Sequence, residues 1–296
     1  MNLVLLALGF GIVTGTVLAL GAVGFTLQFS ISRIFNVAFA GVMTIAAYVA
    51  YFVNNVMGLN IWIAFLAAAG VASLLSVVIE RWIYAPFLRR GSNAFALIMV
   101  SIAIMVIIAD GLQAIVGPSY VSLVPSRGAS IQLGGIIWTP RQIAVMAIAA
   151  CAMLALHLVL RYTRLGKAIR AVADDPDLAR TCGIDSRRIT SITWGLSGIL
   201  CGMSGVALAL ETVTFTTNIG LTFLLVIIAA ALVGGVGHPY GAMLGALAIG
   251  FVTELTALVM PETKHAAALA LLIVVMIFFP YGIRWRGKTR IEAAAA

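Results

Sequence analysis

Residues 3–27 read LVLLALGFGIVTGTVLALGAVGFTL, a stretch without a single charged side chain. A helix needs about 20 apolar residues to cross the hydrocarbon core of a bilayer. The strands of a membrane barrel would alternate apolar and polar residues, and this stretch does not alternate. It therefore predicts a transmembrane helix, and the rest of the chain repeats the pattern. Of the 296 residues, 62% are hydrophobic and only 9% are charged, with a mean hydropathy of +1.13. Soluble domains carry about 25% charged residues. A domain of this size keeps a large exposed surface, so lipid must serve as its solvent, and backbone polar groups in lipid have to pair internally. The fold class that follows is all-α: a polytopic membrane helix bundle forming a single transmembrane domain over residues 1–296. Its apolar segments fall at 3–27, 37–53, 60–79, 94–116, 142–160, 190–210, 221–235, 241–260 and 266–283. The seventh is short and runs into Gly234, Gly235, Gly237 and Pro239. It reads as a half-helix or a full span, so the count is eight or nine.

Basic residues set the expected orientation, because cytoplasmic loops are enriched in Lys and Arg. Arg33 follows the first segment, and Arg81, Arg89 and Arg90 lie between the third and fourth. Seven more lie between Arg161 and Arg188, and Arg284, Arg286, Lys288 and Arg290 close the chain. With nine alternating segments these 15 of the 18 basic residues share one side; Arg127, Arg141 and Lys264 are the other three. The expectation is an N-terminus outside and a C-terminus in the cytoplasm. The net charge of +8 then reflects sidedness and an affinity for anionic lipid rather than nucleic acid. The N-terminal stretch lacks a basic leader region and is too long for a removable signal peptide. Cys151, Cys182 and Cys201 show neither metal spacing nor a disulfide framework. Gly11 with Gly15, Gly198 with Gly202, and Gly237, Gly241 and Gly245 have the spacing that lets membrane helices approach closely.

Two polar loops stand out. The outer one, 117–140, carries Pro118, Pro125, Gly128, Gly134 and Gly135 around β-like runs at Tyr120–Val124 and Ile136–Thr139. It reads as a small hairpin over the outer mouth or as a solvated connector. The inner one, 161–188, reads RYTRLGKAIRAVADDPDLARTCGIDSRR. Lys167 to Ala173 reads as one short helix. Asp174 or Asp175 then supplies an N-cap, Pro176 suits the first helical position, and Gly183 suits a C-terminal cap. Ala168, Ala171 and Ala179 give this two-helix platform a small apolar face, suited to docking on another protein or to resting on lipid.

The segment Thr163-Arg164-Leu165-Gly166-Lys167-Ala168-Ile169-Arg170-Ala171-Val172-Ala173-Asp174 resembles the cytoplasmic loop of branched-chain amino acid ABC transporter permeases, the LivH-like membrane subunits. Glu80-Arg81 with Tyr84 and Pro86-Phe87-Leu88-Arg89 is similar to a second stretch of that family. So are Gly234-Gly235-Val236-Gly237 and Gly24-Phe25-Thr26-Leu27 with Asn36-Val37-Ala38. The resemblance covers about residues 20–282. It implies a permease subunit of an ABC importer in a bacterial inner membrane. Its partners would be a second, LivM-like permease, two ATP-binding subunits and a periplasmic substrate-binding protein. The 161–188 loop would be the cytoplasmic coupling element, with Gly166, Arg170, Ala171, Asp174 and Gly183 transmitting the stroke, and 117–140 would be periplasmic. The chain carries no Gly-x-x-x-x-Gly-Lys-Ser/Thr phosphate loop, so ATP hydrolysis is expected in the partners. No enzyme activity, cofactor or metal is expected of this chain. Phe29, Ser30, Phe39, Ala40, Gly41, Ser101 and Ala103 depart from the family pattern. The substrate reading therefore spans branched-chain or related amino acids, urea and short amides.

Candidate pathway residues follow from the polar groups and helix breaks inside apolar segments. They are Gln28, Ser30, Asn36, Ser101, Gly235 and Gly237. Asn36 offers an amide donor and acceptor to a zwitterion, or ties two helices together. Arg33 reads as an interfacial anchor, and His238 as a turn contact. Asp110, Glu211 and Glu254 are ionisable groups in or near spans, where charge is expensive. Each reads as a helix-to-helix hydrogen bond, an outer-mouth group or a direct substrate contact; in a rival reading Asp110 and Glu254 are the ion-coupling carboxylates of a secondary transporter. Trp62, Trp138, Trp194 and Trp285 read as interfacial anchors.

Overall fold

The computed structural model of the chain describes residues 3–123, 131–133, 136–212 and 214–279. The described residues contain twelve α-helices, four short strands, two π-helical turns and one 3-10 turn. The helices are α1 (Leu3–Ser32), α2 (Ala38–Tyr51), α3 (Ile61–Ile79), α4 (Ala85–Arg89), α5 (Ala94–Val116) and α6 (Pro140–Tyr162). They continue as α7 (Arg164–Asp174), α8 (Pro176–Thr181), α9 (Ser186–Thr212), α10 (Ile219–Gly234), α11 (Pro239–Ala257) and α12 (Lys264–Phe278). Among the described residues, eight helical runs are long and apolar enough to cross a bilayer. The 16-residue α10 is a ninth, shorter one. At a rise of 1.5 Å per residue it reaches about 24 Å, short of the ~30 Å hydrocarbon core.

Several helices outrun their apolar stretches because caps and turns, not hydropathy, set their ends. Asn60 Oδ1 accepts from the Trp62 backbone N–H at 3.3 Å and starts α3. Thr139 and Gln142 form a reciprocal capping box with Pro140 at the first position of α6, satisfying donors that the helix itself leaves orphaned. The third span does not stop at residue 79. A π-helical turn, Glu80–Tyr84, carries it through α4 as one helical run to Arg89. The sequence reads as a loop there because of its charges, yet Glu80 and Tyr84 are buried. A second π-turn, Phe52–Val56, extends α2.

Helix α1 runs through the centre, against α11, α9 and α10, while α9 fills the space between α1, α2 and α3. Small residues make these crossings close. Gly11 and Gly15 meet Phe251 and Leu247 of α11, and Gly250 faces the Gly15 backbone. Gly198 and Gly202 lie on the Ala68, Ala72 and Ser73 backbone of α3. Lipid tails are as apolar as the side chains, so such backbone approach supplies the packing that drives membrane helices together. Gly241 and Gly245 press on α10, whereas Gly237 has open space around it.

Contacts sort the residues into two ends. At one end Arg33 Nη2 donates to the Ala173 carbonyl of α7 at 3.5 Å. Ser191 Oγ donates to Glu80 Oε2 at 2.7 Å. At the other end Trp138 Nε1 donates to the Gly9 carbonyl at 3.3 Å. Arg33, Arg81, Arg89 and Arg187 gather with α7 and α8 at the first end, the elbow end, whereas Arg141 lies at the other beside Glu211.

At the opposite end β1 (Val121–Ser122) pairs antiparallel with β4 (Thr214–Phe215), and β2 (Ile131–Leu133) with β3 (Ile136–Trp138). The two β-like runs of the sequence are thus not partners of each other. The second folds back on its immediate neighbour, while the first borrows the backbone that follows α9. Val124, Pro125, Arg127, Gly128, Gly134 and Gly135 lie outside the described residues, as do Arg284, Trp285, Arg286, Lys288 and Arg290. Trp194 is not an interfacial anchor: it is 1% exposed and packs against Tyr84, ring centroids 5.1 Å apart. Trp82, 78% exposed, stands on the surface instead.

Candidate functional site

Helix α1 ends at Ser32, and Arg33 turns the chain with φ +52 before α2 starts at Ala38. The break therefore falls between two spans, and Gln28 and Ser30 are helical. This turn places Asn36 in the core, 3% exposed, beside Gln28 at 2%. Asn36 Nδ2 donates to Gln28 Oε1 at 3.0 Å, and the Tyr84 hydroxyl donates to Asn36 Oδ1 at 2.8 Å. The π-turn brings Tyr84 into reach. The cluster links the end of α1, the 33–37 turn and the α3–α4 run, with the Trp194 ring on its flank. Sequence reasoning singled out Asn36 and Gln28 but not the pairing, because Tyr84 lies 48 residues from Asn36 and in a charged stretch.

Of the other pathway candidates Ser101 joins this cluster, its hydroxyl lying beside that of Tyr84, whereas Ser30, Gly235 and Gly237 are not gathered here. Ser30 Oγ donates to the Leu27 carbonyl of its own helix at 2.9 Å. Ser101, fully buried on α5, donates to the Ile98 carbonyl at 2.7 Å. Gly235 and Gly237 form the break between α10 and α11, with φ of +90 and +93, a region in which side chains are strained. His238 is exposed beside it. Asp110 is exposed on α5. Glu211 and Glu254 meet at the opposite end of the bundle through Thr14.

A single hydroxyl left with an unpaired neighbour gives a direct test of the buried cluster. Tyr84→Phe strands Asn36 Oδ1 in the core. The expected loss of stability is about 1 kcal/mol, given the modest value of interhelical hydrogen bonds in membranes and the cost of an orphaned acceptor. Unfolding the purified chain by detergent titration measures it. An unchanged midpoint would show that the cluster does not hold the two helices.

The elbow end is built by capping. Thr163 Oγ1 accepts from the Gly166 backbone N–H at 3.1 Å and starts α7 three residues earlier than its apolar pattern. Asp175 Oδ1 accepts from the backbone N–H groups of Asp177 and Leu178 at 2.9 and 3.0 Å and starts α8, with Pro176 at the first position. Gly183, φ +82, ends the second turn. Gly166 is buried, seated on the Val159 and Leu160 carbonyls of α6. Arg170 also bonds the Leu160 carbonyl. Ile169, Val172 and Ala179 face inward, Ala171 is half-buried, and Asp174 and Gly183 are exposed. Ala179 therefore belongs to the inner face rather than to a docking surface. The apolar side chain offered outward on α8 is Leu178, 62% exposed, beside the Arg180–Asp177 ion pair at 3.2 Å. The arrangement is a short, capped handle docked on α6, α9 and the end of α1.

Comparison with known proteins matches residues 7–279 to the family model described as the branched-chain amino acid transport system permease component. The high-affinity branched-chain amino acid transport system permease protein LivH of Salmonella typhimurium is 31% identical over 93% of this chain and 94% of its own length. The corresponding BraD of Pseudomonas aeruginosa is 29% identical over 93% of this chain and 94% of its own. A more distant relative, the guanosine ABC transporter permease protein NupQ of Bacillus subtilis, is 25% identical over 76% of this chain and 74% of its own.

Proposed function

Because this chain belongs to the branched-chain amino acid transport permease family, we propose that it is the membrane subunit of an ATP-driven importer for branched-chain or related amino acids. A second, LivM-like permease, two ATP-binding subunits and a periplasmic substrate-binding protein complete the machine. The N-terminus lies outside and the elbow end faces the cytoplasm, the side on which basic residues accumulate in bacterial inner-membrane proteins. The observation that carries this reading beyond family membership is the α7–α8 handle. It is capped at both starts, pinned to α6 through Arg170 and to the end of α1 through Arg33. A load applied to α8 is thereby delivered to the central helix. In this scheme Gly166 and Arg170 seat the handle, while Ala171, Asp174 and Gly183 shape the surface around Leu178. Substrate passes the Gln28–Asn36–Tyr84 cluster once the bundle opens and Asn36 exchanges Gln28 for a ligand. Ser30, Ser101, Gly235 and Gly237 line or permit that opening.

The test is uptake of labelled leucine, urea or acetamide by the assembled transporter in proteoliposomes with its binding protein. Leucine uptake that requires hydrolysable ATP and ignores an uncoupler is the expected result. Uptake of urea or acetamide instead would reassign the substrate. Uptake that survives a non-hydrolysable analogue but fails with the uncoupler would reassign the chain to ion-coupled transport. Within the same assay, Leu178→Asp is expected to cut uptake by about tenfold or more, the loss of an apolar anchor at an interface. Its unfolding midpoint should stay within about 0.5 kcal/mol of the parent, as for most surface changes.

A further inference from the structure

At the end opposite the elbow, one hydroxyl stands between two acids. Thr14 Oγ1 of α1 lies 2.6 Å from Glu211 Oε1 of α9 and 2.8 Å from Glu254 Oε1 of α11. A threonine hydroxyl carries one proton, so it can donate to only one of the two carboxylates at a time. The second contact lacks a proton of its own, which one of the carboxyls or an entering donor must supply. Glu211 Oε2 is enclosed and has no hydrogen-bond partner among the described residues. An enclosed carboxylate oxygen without a donor is costly. A bound group with more than one N–H would complete both acids and serve Glu211 Oε2 as well.

The surroundings indicate which. The three residues border a cavity of about 70 Å³, several times the least volume that admits one water. Lys264 and His265, at the start of α12, line it as well. Lys264 forms no ion pair with either acid within 4.0 Å; the one ion pair among the described residues is Arg180–Asp177. Two acids and an amine thus line one space without an ion pair between them, a set of charges that suits a zwitterion. Leu18, Phe223 and Val226 add apolar side chains to the lining.

We propose that Glu211 and Glu254, bridged by Thr14, bind the protonated primary amine of a zwitterionic amino acid at the mouth of the bundle, with Lys264 facing its carboxylate. The primary ammonium has three donors, enough to complete both acids and release Thr14 to serve one of them. Glu211 is the second-last residue of α9, and Glu254 lies three residues before the end of α11. The site is thus within one helical turn of the end, where a delivered substrate first meets the permease. It deepens the transport reading above and rests on it for the identity of the ligand as cargo.

Binding is read without transport, so a failure of the site and a failure of the importer assignment are separable. The assembled transporter in detergent is melted with 3-methylbutylamine, 3-methylbutanol, 4-methylpentanoate, or leucine, in choline chloride, whose cation has no N–H donor. The amine and leucine are expected to raise the melting temperature of the parent; the alcohol and the acid are not. In Glu254→Gln, and separately in Glu211→Gln, the half-saturating amine concentration is expected to rise about tenfold or more. Thr14→Ser, which keeps the hydroxyl, should retain binding. The proposal is overturned by an amine that stabilises parent and variants alike, or by one that stabilises neither. It is equally overturned if sodium or potassium chloride reproduces the whole effect, which marks an inorganic cation site. A melting point that follows pH but ignores the amine marks a shared proton and overturns it too. Leucine uptake by the same preparation reports on the importer assignment by itself.

Discussion

Gly166→Leu is expected to abolish coupled uptake, by at least about tenfold, while leaving the bundle's unfolding midpoint close to that of the parent. The Gly166 Cα rests on the last carbonyls of α6, and a Cβ built there overlaps the Leu160 carbonyl and crowds that of Val159. Neither obstacle is a flexible side chain. Thr163 holds the corner from the other side, donating to the Val159 carbonyl at 2.6 Å and accepting from the Gly166 N–H. A leucine at 166 therefore cannot be absorbed by a rotamer change. It levers α7 away from α6, breaks the Arg170 bond to Leu160, and carries α8 with it. Arg33 then loses its hold on Ala173. The long spans bury most of their surface against one another, α1 on α11 and α9 and α3 on α9, so the membrane fold is expected to survive. Basal ATP hydrolysis by the partner subunits should persist, without stimulation by loaded binding protein. Normal uptake by the variant would show that the position of the handle is irrelevant to transport. Loss of the folded bundle would show that α7 is part of its core rather than a lever attached to it.

The features that hydropathy and capping control could be read directly from the chain. Segment 94–116 coincides with α5, because Asn93 and Gly117 bracket a continuous apolar run. The α7–α8 pair is legible for the same reason: Asp175, Pro176 and Gly183 are local signals with local consequences. What escaped was decided by partners far apart in sequence. Glu80 and Arg81 look like the start of a loop, since charge is expensive in a span. The π-turn at this point instead lets Glu80 reach Ser191 and Tyr84 reach Asn36 while Arg81 stays exposed. Trp194 sits near a charged loop and so reads as an interfacial anchor, yet α9 turns its ring inward against Tyr84. Thr14 gave no signal at all. Hydroxyls are common in membrane helices and usually bond a carbonyl of their own helix, as Thr16 does to Ile12 and Val13. That Thr14 instead joins residues 197 and 240 positions away depends on where α9 and α11 come to rest. The β1–β4 pairing is hidden for the same reason: two residues on each side carry no register information, and closure depends on the helices that bring them together.

Gly241→Val should leave little folded protein, the largest stability loss expected from any single change in this chain. Helices α10 and α11 meet at the break 235–238 with backbone against backbone. A Cβ on Gly241 overlaps the Gly234 carbonyl, and a Cβ on Gly234 overlaps that of Gly241. One turn on, a Cβ on Gly245 overlaps the Ala230 carbonyl. Extra methylenes in a packed core cost about 1–3 kcal/mol when side chains can yield. Here the obstruction is main chain on both sides, so the loss is expected to exceed about 3 kcal/mol. The short α10 would then separate from α11, and the α1–α11 crossing built on Gly15 and Gly250 would loosen with it. The same break supplies a graded control. Gly237 has open space but φ +93, so Gly237→Ala is charged only with left-handed strain, about 1–2 kcal/mol. Gly70, inside α3 with nothing within 4 Å, lacks both penalties, and Gly70→Ala should be neutral or stabilising by up to about 1 kcal/mol. Yields of monodisperse protein and detergent-unfolding midpoints should therefore rank Gly70→Ala above Gly237→Ala above Gly241→Val. Equal behaviour of the last two would mean that backbone conformation, rather than contact between α10 and α11, fixes the break. A stable Gly241→Val would mean that the two helices are free to separate.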